Sequence, residues 1–193
     1  MSSSVMVRWL DLHRTLKAAL KFVLKDSLRL ALNSVLISSD GSAVKVVSSN
    51  GRGLFVATLG GSGELTETLV SRVDVQRFLS LRHSTKREDL CHVARCARKI
   101  SFAADGSLMT FKPIEAQYPP YQVAIPKRPV KSPVGSIGIA AGYARDVTDA
   151  FRIMNCEAMK VSHGAKWSDP AVFTPGNKGT VSFKIVLMPM RLP

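Results

Sequence analysis

The sequence predicts an α+β fold assembled from a repeated strand–helix–three-strand unit. Three observations carry the prediction. The apolar period switches from two to about 3.6 residues and back in three successive stretches, turn dipeptides punctuate the strand-like runs, and the pattern recurs at roughly sixty-residue intervals.

In the first round Val5, Val7 and Trp9 alternate with other residues as a half-buried strand does. From Leu12 onward, Leu12, Leu16, Leu20, Val23 and Leu24 share one helical stripe, while Lys17, Lys21 and Lys25 stand four apart on another. Leu28, Leu30 and Leu32 then alternate as a strand. Turns are expected at Asp40-Gly41 and Asn50-Gly51, with strands over 43–47 and 54–59. The run Gly60-Gly61-Ser62-Gly63 reads as a flexible hairpin between strands. The second round has a strand over 64–70, a helix with Val75, Phe78 and Leu79 inward beside Arg72, Arg77 and Arg82, and strands over 90–97, 100–103 and 108–111 that turn at Asp105-Gly106. A Pro-rich basic linker occupies 126–133. The third round starts at Ser136, where Ile137 and Ile139 lead into a helix with Tyr143, Val147, Phe151 and Met154 on one face and Arg145 and Arg152 off it. Strands then run to Met190.

Composition bounds the function. The 193 residues are 46% hydrophobic and 21% charged, enough for a folded core. Lys and Arg number 27 against 14 Asp and Glu, for a formal charge of +13 and a pI near 10.1, which points to a polyanion, nucleic acid first. No apolar run approaches the roughly 18 residues of a membrane span, and the opening MSSSVMVRW has no leader-type apolar region. Each basic stripe taken alone is also what the solvated face of an amphipathic helix looks like. Three such helices in successive repeats, packed side by side, line one surface that follows phosphates without reading sequence.

Catalytic and metal-binding signatures are lacking. Cys91, Cys96 and Cys156 form an odd set read as free thiols in a reducing compartment. Cys91, His92 and Cys96 have no second ligand pair at zinc spacing. The glycine run lacks the Lys-Ser/Thr of a Walker loop, and His13, His83, His92 and His163 form no metalloprotease pattern. Neither a cofactor nor an enzymatic activity is expected. A sequence-specific DNA binder is disfavoured by the lack of a helix-turn-helix or zinc-finger pattern.

Several ordered motifs carry a resemblance. The segments LKAALKFVLKDSLRLALNSVLIS, VKVVSSNGRGLFVAT and EAQYPPYQVAIP resemble the middle domain of the bacterial DNA polymerase III beta sliding clamp, SIGIAAGYARDVTDAF resembles the start of the second half of its third domain, and the terminal IVLMPMRL is similar to the family's closing signature. The family's first domain and the first half of its third have no counterpart here. Where the family carries an Asp-Gly-His-Arg type turn, this chain has Asn50-Gly51-Arg52-Gly53, and Pro193 follows Leu192.

The resemblance implies a clamp domain over 1–126, a linker over 127–134 and a half domain over 135–193, with helices toward duplex DNA and sheets outside. The DNA-facing residues would be Arg14, Lys17, Lys21, Lys25, Arg72, Arg77, Arg82, Arg145 and Arg152. A hydrophobic cleft for short linear peptides of polymerase and repair proteins would be lined by Leu32, Gly51, Arg52, Leu54, Pro119, Val123 and Ala124, and by Tyr143, Val186, Met188, Pro189, Met190, Arg191 and Leu192. Flexible, polarizable Met188 and Met190 suit a groove that accepts varied anchors. The implied protein is a bacterial cytoplasmic, non-catalytic processivity factor with no membrane role, possible loader dependence and a homo-oligomeric state. Two chains of about one and a half domains give three domains and four give six, so a homotetramer would rebuild a ring. The alternative is a non-encircling regulator or decoy that binds the same peptides.

Overall fold

The computed structural model describes residues 2–25, 28–81, 89–104, 106–126, 137–164, 166, 168–177 and 179–190. In chain order the elements are β1 (Ser2–Arg8), α1 (Trp9–Ala19) with a 3-10 turn (Leu20–Phe22), β2 (Ser34–Ser49), β3 (Gly53–Ser71), α2 (Arg72–Ser80), β4 (Leu90–Cys96), β5 (Lys99–Ala104) and β6 (Ser107–Phe111). A second 3-10 turn (Tyr121–Ala124), α3 (Ala141–Ile153), β7 (Met159–Ser162), β8 (Ala171–Pro175) and β9 (Val181–Leu187) follow. Among the described residues the strands join in the order β6-β5-β4-β1-β3-β9-β8-β7, with β2 also on β3. No described helix is long and apolar enough to cross a membrane.

The first two units interlock by exchanging the strands that lead into their helices. β1, which leads into α1, pairs along β4 from Ser2↔Cys96 to Arg8↔Leu90. The end of β3, which leads into α2, pairs with the start of β2 from Ser34↔Ser71 to Ile37↔Thr68. Over the exchanged strands Trp9 meets Phe78 of α2 edge-on at 4.9 Å, an arrangement that aromatic quadrupoles favour. Ser71 caps α2, its Oγ accepting from Asp74 N at 3.0 Å, as an N-cap serine does.

The third unit joins the opposite flank. β9 pairs with the first half of β3 from Val181↔Leu59 to Leu187↔Gly53. Alternation sends Phe55, Ala57, Phe183 and Ile185 to the helix side and Leu54 and Val186 to the outer side. On the helix side an aromatic series crosses the junction: Phe22–Phe55 at 6.0 Å, Phe55–Phe183 at 6.0 Å and Phe183–Phe151 at 4.9 Å. These side chains belong to the 3-10 turn, β3, β9 and α3 in turn. The third unit therefore shares the main core of the first. A smaller cluster on the outer face gathers Leu36, Val47, Leu54, Leu69, Tyr118 and Val186.

The structure corrects four sequence expectations. Leu28, Leu30 and Leu32 form no strand. Asn33 and Leu32 donate to Arg29 O and Leu24 donates to Leu32 O, so the segment folds back on the end of the 3-10 turn, with Leu28 89% and Leu30 53% exposed. The α-helix stops at Ala19, and Val23 is extended rather than on the stripe's last turn. Asp40-Gly41 is an irregularity inside a continuous β2, where Asp40 Oδ1 accepts from Ser42 N and Ala43 N. Glycines 60–63 are no hairpin: β3 runs straight through them. A Cβ at Gly61 would stand 2.7 Å from Val44 Cγ2 and 3.0 Å from Met6 O, and Gly63 has φ +105 against Ser4 O. They make room for β1 to cross β3. The Asn50-Gly51 turn does form, with Asn50 Oδ1 accepting from Gly53 N at 2.8 Å. Arg82 and Asp105, the residues of the 127–134 linker, and Ser136 lie outside the described residues.

Cys91 and Cys96 fall on opposite faces of β4, one buried and one exposed. Burial pushes the Cys91 thiol up to about 12, where almost no thiolate exists at neutral pH. A colorimetric thiol titration of the native protein at pH 8 should therefore label Cys96 and leave Cys91 unmodified until denaturant is added. Phe55→Ala should cost about 3–5 kcal/mol in urea unfolding, since it empties the middle of the aromatic series.

Candidate functional site

The outer face of the β3–β9–β8 sheet ends in a cavity of about 580 Å³ where the 3-10 turn Tyr121–Ala124 overhangs the third unit. Val123, Ala124, Ile125 and Pro126 form one wall, and Val172, Thr174, Lys184 and Met188 the other. Even-numbered residues of β8 and β9 point outward, opposite the buried Phe173, Phe183 and Ile185. Its apolar floor continues into the outer cluster, because Ile125 and Val172 pack against Leu54, Tyr118 and Val186. Burial also pushes the Tyr118 phenol above its ordinary value. Met188 N donates to Arg52 O at 2.9 Å, so the Asn50-Gly51 turn fixes where the Met188 side chain starts.

Most of the residues expected in a cleft gather here, and some do not. Val123, Ala124 and Met188 line the cavity, Leu54 and Val186 lie in the buried cluster that adjoins it, and Arg52, in the turn with Gly51, holds its edge through the Met188 bond. Pro119 is exposed beside Tyr118. Met190, 45% exposed, bridges to Gly138 beyond the partly buried Pro189. Leu32 is held by the turn at 29–33 and does not line the cavity. Tyr143 packs on the main core, on the helix side of the sheet, because α3 carries it there. Arg191 and Leu192 lie outside the described residues. Sequence reasoning missed Thr174, Lys184, Asp169 and His163. For Thr174 and Lys184 the one sequence signal was the alternation in β8 and β9, which places the even positions on one face; Asp169 and His163, in the stretch between β7 and β8, carried none. His163 Nδ1 and Nε2 are shielded from solvent and meet no hydrogen-bond partner among the described residues, an arrangement that favours a donor or acceptor arriving with a ligand.

On the other side of the sheet a groove of about 640 Å³ runs between the helices. Lys17, Lys21, Lys25, Arg72 and Arg145 line it together with Asp146 and Asp149. The cations come from α1, the segment after it, the first residue of α2, and α3. Lys21 Nζ donates to Asp149 Oδ2 at 2.7 Å, tying the first unit to the third across the groove. The remaining expected cations lie elsewhere. Arg77 faces Asp74 at 3.5 Å one turn back along α2, Arg14 lines a recess with Asp11 and Thr180, Arg152 stands beside β7, and Arg82 is outside the described residues.

A strand-exchanged pair of βαβββ units with helices on one face and a peptide-sized cleft on the other defines the DNA-clamp class of fold. No protein-family profile matches the sequence, and no curated protein matches it. Solved structures do. The DNA polymerase III beta subunit of Thermotoga maritima superposes with a TM-score of 0.76 at 15% identity over 99% of this chain and 66% of its own. The DNA polymerase sliding clamp of Pseudomonas aeruginosa gives 0.78 at 13% over 98% and 67%, and the DNA polymerase III subunit beta of Borrelia burgdorferi 0.80 at 14% over 98% and 63%. The chain thus folds as a bacterial beta sliding clamp does, along about two thirds of such a clamp's length.

The Lys21 ammonium holds the Asp149 carboxyl below the ordinary 3.8. A depressed carboxylate contributes its stability above the ordinary range and loses it as acid carries the pH through the folded value. NMR titration should find Asp149 ionised below pH 3.8, and Lys21→Met should return its midpoint toward that value.

Proposed function

We propose that the chain is a sliding clamp, a non-catalytic processivity factor of the bacterial cytoplasm. It encircles duplex DNA without reading sequence and tethers polymerase or repair proteins by peptides held in the outer cleft. The observation that carries this reading is the convergence on one groove of Lys17, Lys25, Arg72 and Arg145 from all three units, beside the Lys21–Asp149 pair and on the side of the sheet away from the cleft. Phosphate attraction through such a screened surface gives retention without register. The cleft fits an extended peptide with aliphatic or aromatic anchors, since Met188, Val172 and Ile125 offer an adaptable apolar floor and His163 and Lys184 offer polar contacts.

A domain over 1–126 and a half domain over 135–193, in a homotetramer of about six domains' worth of chain, would close the ring. The lining of the cleft by residues of a single chain favours a second reading, a non-encircling regulator that captures clamp-binding peptides, because such a protein needs no ring.

Retention on closed circular DNA that disappears when the circle is cut supports encirclement; equal retention on both forms supports the regulator. The triple substitution Lys17→Ala, Lys25→Ala and Arg145→Ala should weaken DNA retention and reduce the salt slope of binding by about 0.9 per phosphate contact removed. Fluorescence polarization with a short peptide carrying Leu and Phe should register no change in that variant. Met188→Asp should give the converse pattern, and simultaneous loss of both activities in either variant would refute the division of labour between the two faces.

A further inference from the structure

In the first two units, every strand that follows a helix has its outer edge covered by the lead strand of the neighbouring unit. The side chains inside these pairings are sealed: Val5, Val7, Cys91 and Val93 are at most 1% exposed, and so are Val35, Ile37, Val70 and Thr68. Val7 and Val70, the inward lead residues, each stand two positions before their helix. The third unit repeats the design, with Ile139 two positions before α3 and Ile137 two before that. Among the described residues its lead segment makes one backbone bridge, Gly138↔Met190, the counterpart of the brief Met6↔Ser62 and Val7↔Gly61 contact of β1 with β3, while Ile137 and Ile139 lie partly buried against the main core. Its strand after the helix is β7, and among the described residues β7 pairs only with β8.

The uncovered edge has the chemistry of an interior position. Val161 lies opposite buried Phe173 in the β7–β8 register, so Met159 and Val161 point to the helix side, yet they are 43% and 50% exposed. Pro175, opposite Met159, has no N–H, and Ala158 O instead accepts from Gly176 N at 2.8 Å. By the alternation of an antiparallel ladder, Lys160 and Ser162 bond to β8, while the backbone groups of Met159 and Val161 face the open edge. The lead segment is poised in the complementary way. Met190 N donates to Gly138 O at 2.9 Å, so the backbone groups of Ile137 and Ile139 face away from Met190. Beside β7, a concavity of about 450 Å³ under Thr148, Phe151 and Arg152 leaves the free flank of α3 uncovered as well.

We propose that two copies of this chain exchange lead segments through their third units. Ile139 and Ile137 of each copy add to β7 of the other, opposite Met159 and Val161, with the α3 helices side by side over the joint. The occupant is a second copy because the fold already covers this edge twice with a unit of its own design, and among the described residues the third unit is the one whose lead segment and first strand after the helix both keep a backbone edge without a strand partner. The exchange is isologous, so both sites form at once about a two-fold axis. This inference rests on the oligomeric part of the reading above; peptide polarization, which uses a cleft lined by one chain, fails or succeeds independently of it.

Light scattering at micromolar concentration should give a mass at least twice the 21.0 kDa of one chain. Val161→Pro removes an outward N–H without touching a β7–β8 bond, and should halve that mass while leaving the circular dichroism spectrum and melting temperature near wild type. A disulfide pair reads the geometry directly. In a Cys96→Ser, Cys156→Ser background, Ile139→Cys with Met159→Cys should yield a covalent dimer on non-reducing gels. Within one chain β8 and β9 lie between the two positions, and three strand spacings separate them by about 14 Å, too far for a disulfide. A monomeric wild type, an unchanged mass for Val161→Pro, or a covalent dimer from Met159→Cys alone, which would mean edge-to-edge β7 pairing, would each overturn the exchange.

Discussion

The antiparallel ladder between β3 and β9 is the constraint on which the rest of the molecule depends. β3 already carries β2 along its length, admits β1 at Gly61 and Ser62, and ends as the lead strand of α2. Adding β9 to its first half brings Phe183 between Phe55 and Phe151 and sets α3 beside α1. Each sealed aromatic side chain contributes about 1.5–3 kcal/mol by burial, so the series through Phe22, Phe55, Phe183 and Phe151 makes one body of what the sequence spells as separate rounds. The same pairing aligns Leu54 with Val186 on the outside, in the buried cluster that adjoins the cleft. One ladder positions both functional faces.

How far the fold was legible in the sequence depended on whether a signal was local. The 3.6-residue stripe of α1 and the inward Tyr143, Val147 and Phe151 of α3 were local; α3 forms where its stripe puts it, and α1 forms over the first part of its own, up to Ala19. Leu28, Leu30 and Leu32 carried the same kind of alternation but have no strand neighbour, and alternation alone cannot say whether an edge exists to pair with. The glycines at 60–63 misled for a related reason: glycine serves a turn and a close crossing equally well, and the crossing strand lies some sixty residues earlier in the chain.

The site divides along the same line. Met188, Val123 and Ala124 were accessible through the terminal and Pro-rich motifs they belong to. His163, Asp169 and Lys184 were not, since their proximity is created by β8 and β9 folding against the overhang of Tyr121–Ala124. Among the cations, helical spacing identified Lys17, Lys21 and Lys25 as one stripe but could not show that Asp149 of another unit would neutralise the middle one. A charge counted in sequence is available to a partner only if the fold leaves it without a counter-ion.

The two faces of the sheet have a kinetic consequence. Residues on one face of a strand cannot reach across it, and here Lys184 and Met188 line the cleft while their odd-numbered neighbours face the helices. An occupant of the cleft and an occupant of the groove are therefore held by separate sets of atoms with a packed layer between them, and their dissociation rates are set separately. Under the proposed function, tenants of the cleft would succeed one another, each on its own schedule, while the hold on the far face stayed as it was.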